Sequence, residues 1–171
     1  MWIFAYGSVV WRPGFTFLAQ TPATLSGWHR RFWQRSLDHR GTPESPGRVL
    51  TLVPEEGAFC EGMAFQIDDQ LKPEILRYLD HREKGGYDRT LVTVTLKAGD
   101  QVEALTYIAH PQNPNYAGPT TDEDIVAIIR ESTGPSGPND EYLIELHKAL
   151  ANVGITDSHV VALANLLKIQ A

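Results

Sequence analysis

Strand-like segments crowd the first two thirds of this chain, and helix-like segments cluster late. Segregation of that kind does not build alternating βα units, so the chain reads as α+β. Residues 2–6 form a short apolar run closed by Gly7 and Ser8, the pattern of a buried strand ending in a tight turn. Residues 23–34 and 48–53 have strand character, and residues 60–67 read as a further strand. Residues 88–96 alternate Val92, Val94 and Leu96 with Thr93 and Thr95, and Gly99-Asp100 turns them into 101–109, the clearest hairpin in the chain. One helix lies among the strands. Leu71, Ile75, Tyr78 and Leu79 share a face behind the candidate cap Asp69, Pro73 fits the first turn, and Gly85-Gly86 ends the pattern. Farther on, Thr120 and Glu123 have capping-box spacing ahead of Ile125, Ile128 and Ile129. Asn139 or Asp140 opens a helix with Leu143, Leu146 and Leu150 inward, and Thr156 or Asp157 opens the last through Val160, Leu163 and Leu167.

Composition narrows the function classes. With 15 Lys plus Arg against 21 Asp plus Glu the formal net charge is −6, which argues against nucleic-acid binding. A hydrophobic fraction of 42% suffices for a core, and no repeat or linker divides residues 1–171, so one domain is expected. Apolar stretches fall far short of the roughly 20 residues a membrane helix needs. Residues 1–10 lack the basic opening of a secretory signal, so the expected location is the cytoplasm, with no membrane partner. The lone Cys60 excludes an intramolecular disulfide, and its apolar setting reads as a buried, inert thiol. The six His residues show no paired metal-ligand spacing, so no metal is expected. Gly134-Pro135-Ser136-Gly137-Pro138 lacks the Walker Lys, and its prolines remove amides a phosphate would need; it reads as a turn between helices.

Two stretches stand out as chemistry. Trp28 to Arg35 is basic and aromatic within an acidic chain. A strand with its aromatic residues inward and its Arg residues outward accounts for most of it. Arg35, His39 and Arg40, at the edge of the polar loop 34–47, are candidates for binding a small substrate's carboxylate. The second stretch, Asp80 to Tyr87, crowds ionisable groups where a helix ends. There the helix carbonyls disfavour a negative charge on Glu83 and raise its proton affinity toward that of a general base. A solvated helix end, with Arg82 and Lys84 complementing the dipole, would use the same residue types.

Several segments together resemble the ChaC family of γ-glutamylcyclotransferases. They are Phe4-Ala5-Tyr6-Gly7-Ser8 with Trp11-Arg12-Pro13; Arg30 to Gln34 continuing to Asp38-His39-Arg40-Gly41-Thr42-Pro43 and Pro46-Gly47-Arg48; Leu79-Asp80 with Arg82-Glu83 and Gly86-Tyr87; Asn113 to Gly118; and Gly134 to Gly137 with Asn139 and Glu141-Tyr142-Leu143. Val9 departs from the Leu usual in the family loop. The resemblance implies a small mixed β-barrel with flanking helices, the γ-glutamylcyclotransferase-like fold. It implies glutathione as substrate, a γ-glutamyl-binding loop of Tyr6, Gly7, Ser8 and Val9, and Glu83 as acid/base, with no cofactor. Tyr87 and Tyr116 are further candidates for the pocket, Tyr116 through its likeness to a γ-glutamyl-binding tyrosine of related enzymes; for both, core packing is the competing role. Two other readings share these residues: action on other γ-glutamyl amines or amino acids, and a non-catalytic regulatory module.

Overall fold

The computed structural model describes residues 1–169. Five strands close into a barrel in the order β1-β3-β2-β4-β5, with β1 spanning Trp2–Ala5, β2 Ala19–Ser36, β3 Gly47–Gln66, β4 Asp88–Leu96 and β5 Gln101–Ile108. Every ladder is antiparallel except β1 on β5, the parallel pairing that closes the cylinder. The helices are α1 (Lys72–Arg82), α2 (Asp122–Glu131), α3 (Asn139–Asn152) and α4 (Ser158–Ile169). None of the described helices is long and apolar enough to cross a membrane.

Where the sequence suggests separate strands at 48–53 and 60–67, β3 runs unbroken for 20 residues. Pro54 and the exposed Glu55, Glu56 and Gly57 interrupt the apolar pattern. The ladder survives because β2 is equally long: Trp28 pairs with Pro54 and Ser26 with Phe59, so residues 55–58 bulge opposite Gly27. The expectation that the Arg residues of β2 point outward fails at Arg30. Strand alternation puts Arg30, Phe32, Gln34 and Ser36 on one buried face. Arg30 is tolerated there because Asp157 Oδ2 lies 2.9 Å from its Nε and Tyr6 O accepts from Nη1 at 2.9 Å.

The helix starts also shift slightly. Asp69 takes the N-terminal ammonium at 3.1 Å instead of capping α1, which begins behind Leu71 with no side-chain cap. Thr121, not Thr120, caps α2 by accepting from the Asp124 amide at 3.2 Å. Asp157 caps α4, accepting from Val160 N at 3.1 Å.

β1 lies between two apolar layers. Phe4 belongs to the barrel interior, which runs on through Phe32, Leu50 and Ile108 to Ile125, Leu143 and Leu163 of the helices. Ile3 on the opposite face meets α1 through Ile75 and Leu79. Full burial of a side chain such as Leu79, 1% exposed, is worth about 1.5–3 kcal/mol. That contact anchors the C-terminal end of α1 beside the end of β1, where the candidate site lies.

Candidate active site

At the end of β1 the chain leaves the barrel through Tyr6 and Gly7 and winds into a single 3-10 turn, Ser8–Val10, closed by Val10 N donating to Gly7 O at 2.9 Å. The Ser8 and Val9 amides open that turn, so it holds no acceptor for them. Tyr6, Gly7, Ser8 and Val9 line an inner chamber of about 50 Å³ together with Glu83, Tyr87 and Tyr142. An outer cleft of about 380 Å³ shares Ser8, Glu83, Tyr87 and Tyr142 and extends to Arg35, Asp38, His39, Arg40 and Ser136.

Glu83 sits one residue beyond α1, its amide still donating to Leu79 O at 2.8 Å. The segment that follows is clamped. Gly85 O accepts from three side-chain amides, Gln34 Nε2 at 3.0 Å and Asn113 Nδ2 and Asn115 Nδ2 at 3.2 Å each. Asn113 Nδ2 also reaches Gly86 O at 2.6 Å. Gly86 has φ +94, and a Cβ there would lie 2.4 Å from that same amide nitrogen, so only glycine fits. On the other side Arg82 ties α1 to the 3-10 turn, donating from Nη2 to Ser8 Oγ at 2.7 Å.

The Glu83 side chain is 20% exposed, and its carboxyl is pushed up to about 7. Burial is the leading cause; the Arg82 guanidinium, with Nε 3.7 Å from Oε1, opposes it, and the Asp38 charge adds to it. The shift has the upward direction expected from sequence, but its leading cause is loss of solvent and not the helix end. A carboxyl with this proton affinity exchanges a proton readily near neutrality.

The tyrosines fall into distinct roles. Tyr6 donates its hydroxyl to Tyr107 O at 2.7 Å, and Tyr87 donates to Leu50 O at 2.5 Å. Their protons are committed to the backbone, so each offers lone pairs to a ligand as an acceptor. Burial raises the phenols of Tyr6, Tyr87 and Tyr142 far enough to keep all three neutral. Tyr116 lines neither space; its carbonyl accepts from Arg35 Nη1 at 3.1 Å, and its backbone bridges to Gln34. The phenol that the fold brings to the chamber is instead Tyr142 of α3, edge-on to Trp11 and Phe32. Its sequence signals are a place in the Glu141-Tyr142-Leu143 segment of the family resemblance and a Tyr at the head of the Leu146 and Leu150 stripe. Asp38, Arg82 and Ser136 were likewise not singled out as wall residues.

In the cleft, the three cationic candidates differ in availability. Arg40 is spoken for, with Nη1 donating to Pro138 O at 2.9 Å and to Glu141 Oε2 at 2.6 Å. Among the described residues the Arg35 side chain bonds only the Tyr116 carbonyl, and His39 has Ser136 Oγ 3.1 Å from Nδ1 and Asp38 Oδ2 3.9 Å from Nε2. The Gly134–Gly137 turn packs directly on this loop: a Cβ at Gly134 would lie 2.3 Å from His39 O.

The family model described as ChaC-like protein matches residues 1–170. The chain is 41% identical to γ-glutamylcyclotransferase 2-3 of Arabidopsis thaliana, across 96% of this chain and 87% of that protein. It is 40% identical to human glutathione-specific γ-glutamylcyclotransferase 1, across 96% and 77% of the two chains. Among solved structures, a γ-glutamyl cyclotransferase specific to glutathione from yeast aligns with a TM-score of 0.92 at 31% identity, covering 99% of this chain and 96% of that one. The five-stranded barrel with its flanking helices is therefore the expected cyclotransferase-like fold, and the chain belongs to the ChaC-like family.

Proposed function

We propose that this protein, acting as one domain in the cytoplasm without a nucleic-acid or membrane partner, is a γ-glutamylcyclotransferase that converts glutathione to 5-oxoproline and cysteinylglycine. The observation that carries the reading is Glu83, a largely buried carboxyl poised near 7 at the junction of chamber and cleft. The names and extent of the relatives support the same substrate.

The reaction is intramolecular. The α-amino nitrogen of the γ-glutamyl unit attacks the γ-carbonyl carbon, a five-membered ring closes, and the bond to the cysteinyl nitrogen breaks. Holding the folded-back conformer replaces a bimolecular encounter, worth about 7–11 kcal/mol of barrier when geometry is ideal. Ionised Glu83 removes a proton from the α-ammonium, and protonated Glu83 returns one to the departing cysteinyl nitrogen, so one carboxyl serves both transfers. The Ser8 and Val9 amides supply donors for the substrate's carboxylate or for the oxyanion that develops as the ring closes. Tyr6 and Tyr87, with their protons committed elsewhere, accept from N–H groups. At the far end, Arg35 and His39 are the cleft's available partners for the glycine carboxylate, Arg40 being held by Glu141.

The test is to incubate purified protein with glutathione and, separately, with glutathione acetylated on its α-amino group. Equal amounts of 5-oxoproline and cysteinylglycine from the first, and no cysteinylglycine from the second, are expected. Release of cysteinylglycine with free glutamate, or turnover of the acetylated analogue, would mean hydrolysis and overturn the assignment.

A further inference from the structure

We infer that Thr106 is a substrate-contacting residue, its hydroxyl oxygen accepting an N–H of the γ-glutamyl α-amino group inside the inner chamber. This rests on the functional reading above. Thr106 lies on β5 between Leu105 and Tyr107, which pack toward α1, and shares the barrel-interior face with Ala104 and Ile108. It lines the chamber that Glu83 reaches and is 1% exposed. Its Oγ1 is buried with no hydrogen-bond partner among the described residues.

That vacancy is unusual among the chamber's hydroxyls. Tyr6 and Tyr87 donate to backbone carbonyls, Tyr107 donates to Asp80, and Ser8 accepts from Arg82. Thr51, also inside the barrel, exchanges bonds with the Ala109 backbone in both directions. A hydroxyl left unpaired in an apolar interior costs stability that valine, nearly identical in shape, would avoid. Folding alone gives no reason for threonine here, whereas a bound polar group would complete its bonding. The identity of that group follows from the neighbours. The chamber offers the Ser8 and Val9 amides as donors and Glu83, Tyr6 and Tyr87 as acceptors, so the part of the ligand that meets these acceptors is the part that donates. Of the parts of a γ-glutamyl unit, only the α-ammonium carries several N–H donors. Fixing it beside Glu83 orients the nitrogen for attack and keeps its proton within reach of the carboxyl.

The experiment compares Thr106→Val, Thr106→Ser and Thr106→Ala with wild type for 5-oxoproline formation from glutathione and for melting temperature. Thr106→Val is expected to lower kcat/KM about 10- to 100-fold, the effect of one lost bond to a charged group, while melting at or above the wild-type temperature. Thr106→Ser should stay within a few-fold of wild type, and Thr106→Ala should fall as far as the valine variant. The Ser and Ala pair, both lacking the methyl group, carries the test should the valine variant fail to fold. Wild-type kcat/KM in Thr106→Val, or equal loss in Ser and Ala, overturns the inference while leaving the cyclotransferase reading intact. A wild-type chain that forms no 5-oxoproline overturns that reading and the Thr106 assignment with it.

Discussion

The inner chamber holds one carboxyl, Glu83, among phenols and apolar side chains, whereas the outer cleft gathers Arg35, Asp38, His39, Arg40, His81 and Arg82 around one opening. In the cleft several charges have partners: Arg40 meets Glu141 at 2.6 Å, and Asp38 lies 3.8 Å from Lys84. In the chamber the nearest countercharge, Arg82, stands 3.7 Å from Glu83 and donates instead to Ser8 Oγ and Arg12 O. The difference separates two tasks. A carboxyl that loses solvent without gaining a tight partner holds its proton up to about 7 and suits proton transfer. In the cleft, paired groups such as Arg40 fix the wall, while Arg35 and His39 keep donors for a ligand, which suits recognition.

The sharpest way to break this contrast is Glu83→Gln, which keeps the shape and removes the titrating group. We expect kcat to fall by about 10²- to 10⁴-fold with little change in substrate affinity, read by single-turnover 5-oxoproline formation beside a binding measurement. The same variant makes a thermodynamic forecast. Because the folded carboxyl is raised from 4.5 to about 7, the native state binds the proton more tightly than the unfolded chain, so this group's contribution to stability is full below pH 4.5 and is lost as pH rises through 7. Removing it should therefore stabilise the protein by about 3 kcal/mol at alkaline pH, with the gain vanishing in acid. Equal denaturation midpoints for both proteins at pH 8 would show that Glu83 is solvated.

Arg35→Ala tests the other half of the comparison. The expected effect lies in KM for glutathione, by the roughly 1.5–3 kcal/mol of a charge-assisted bond, and should be absent for γ-glutamyl amines without a distal carboxylate. Equal KM changes for both substrate types would mean that the cleft does not read that carboxylate. Cys60→Ser should have the smallest effect. The thiol is buried, raised by that burial, accepts from Arg30 Nη2 at 3.3 Å and donates to Glu61 O at 3.8 Å, roles a hydroxyl can fill. Activity is expected within about twofold of wild type, since intramolecular cyclisation needs no thiolate; a much larger loss in a folded variant would give the thiol a part in turnover.

How legible each feature was depends on the range of the interaction behind it. The β4–β5 hairpin and the inward stripes of α2 to α4 are local patterns, and they appear in the structure close to where periodicity puts them. The continuity of β3 was hidden because Pro54, Glu55, Glu56 and Gly57 spoil local alternation, and only pairing with β2 carries the strand across them. Arg30 shares the parity of Phe32, so its inward direction was written in the sequence; what makes that direction affordable is Asp157, far away in the chain. At the candidate site, Glu83 could be marked as a carboxyl at a helix end, but its burial depends on walls contributed by Tyr6, Leu50, Tyr87 and Tyr142. Tyr142 was not singled out because a tyrosine in an apolar helical stripe looks like core, and Tyr116 was selected through a family likeness, although the fold brings it to neither space.

The central claim is that desolvation gives Glu83 a proton affinity matched to neutral pH and that catalysis uses it. The most direct measurement is the pH dependence of kcat/KM for glutathione, which reports the ionisation of the free enzyme. The account predicts a limb that rises with pH through an apparent pKa near 7, as Glu83 becomes able to accept the substrate's proton, and that disappears in Glu83→Gln. A limb centred on the ordinary carboxylate value of 4.5, or one near 7 that persists in Glu83→Gln, would contradict it.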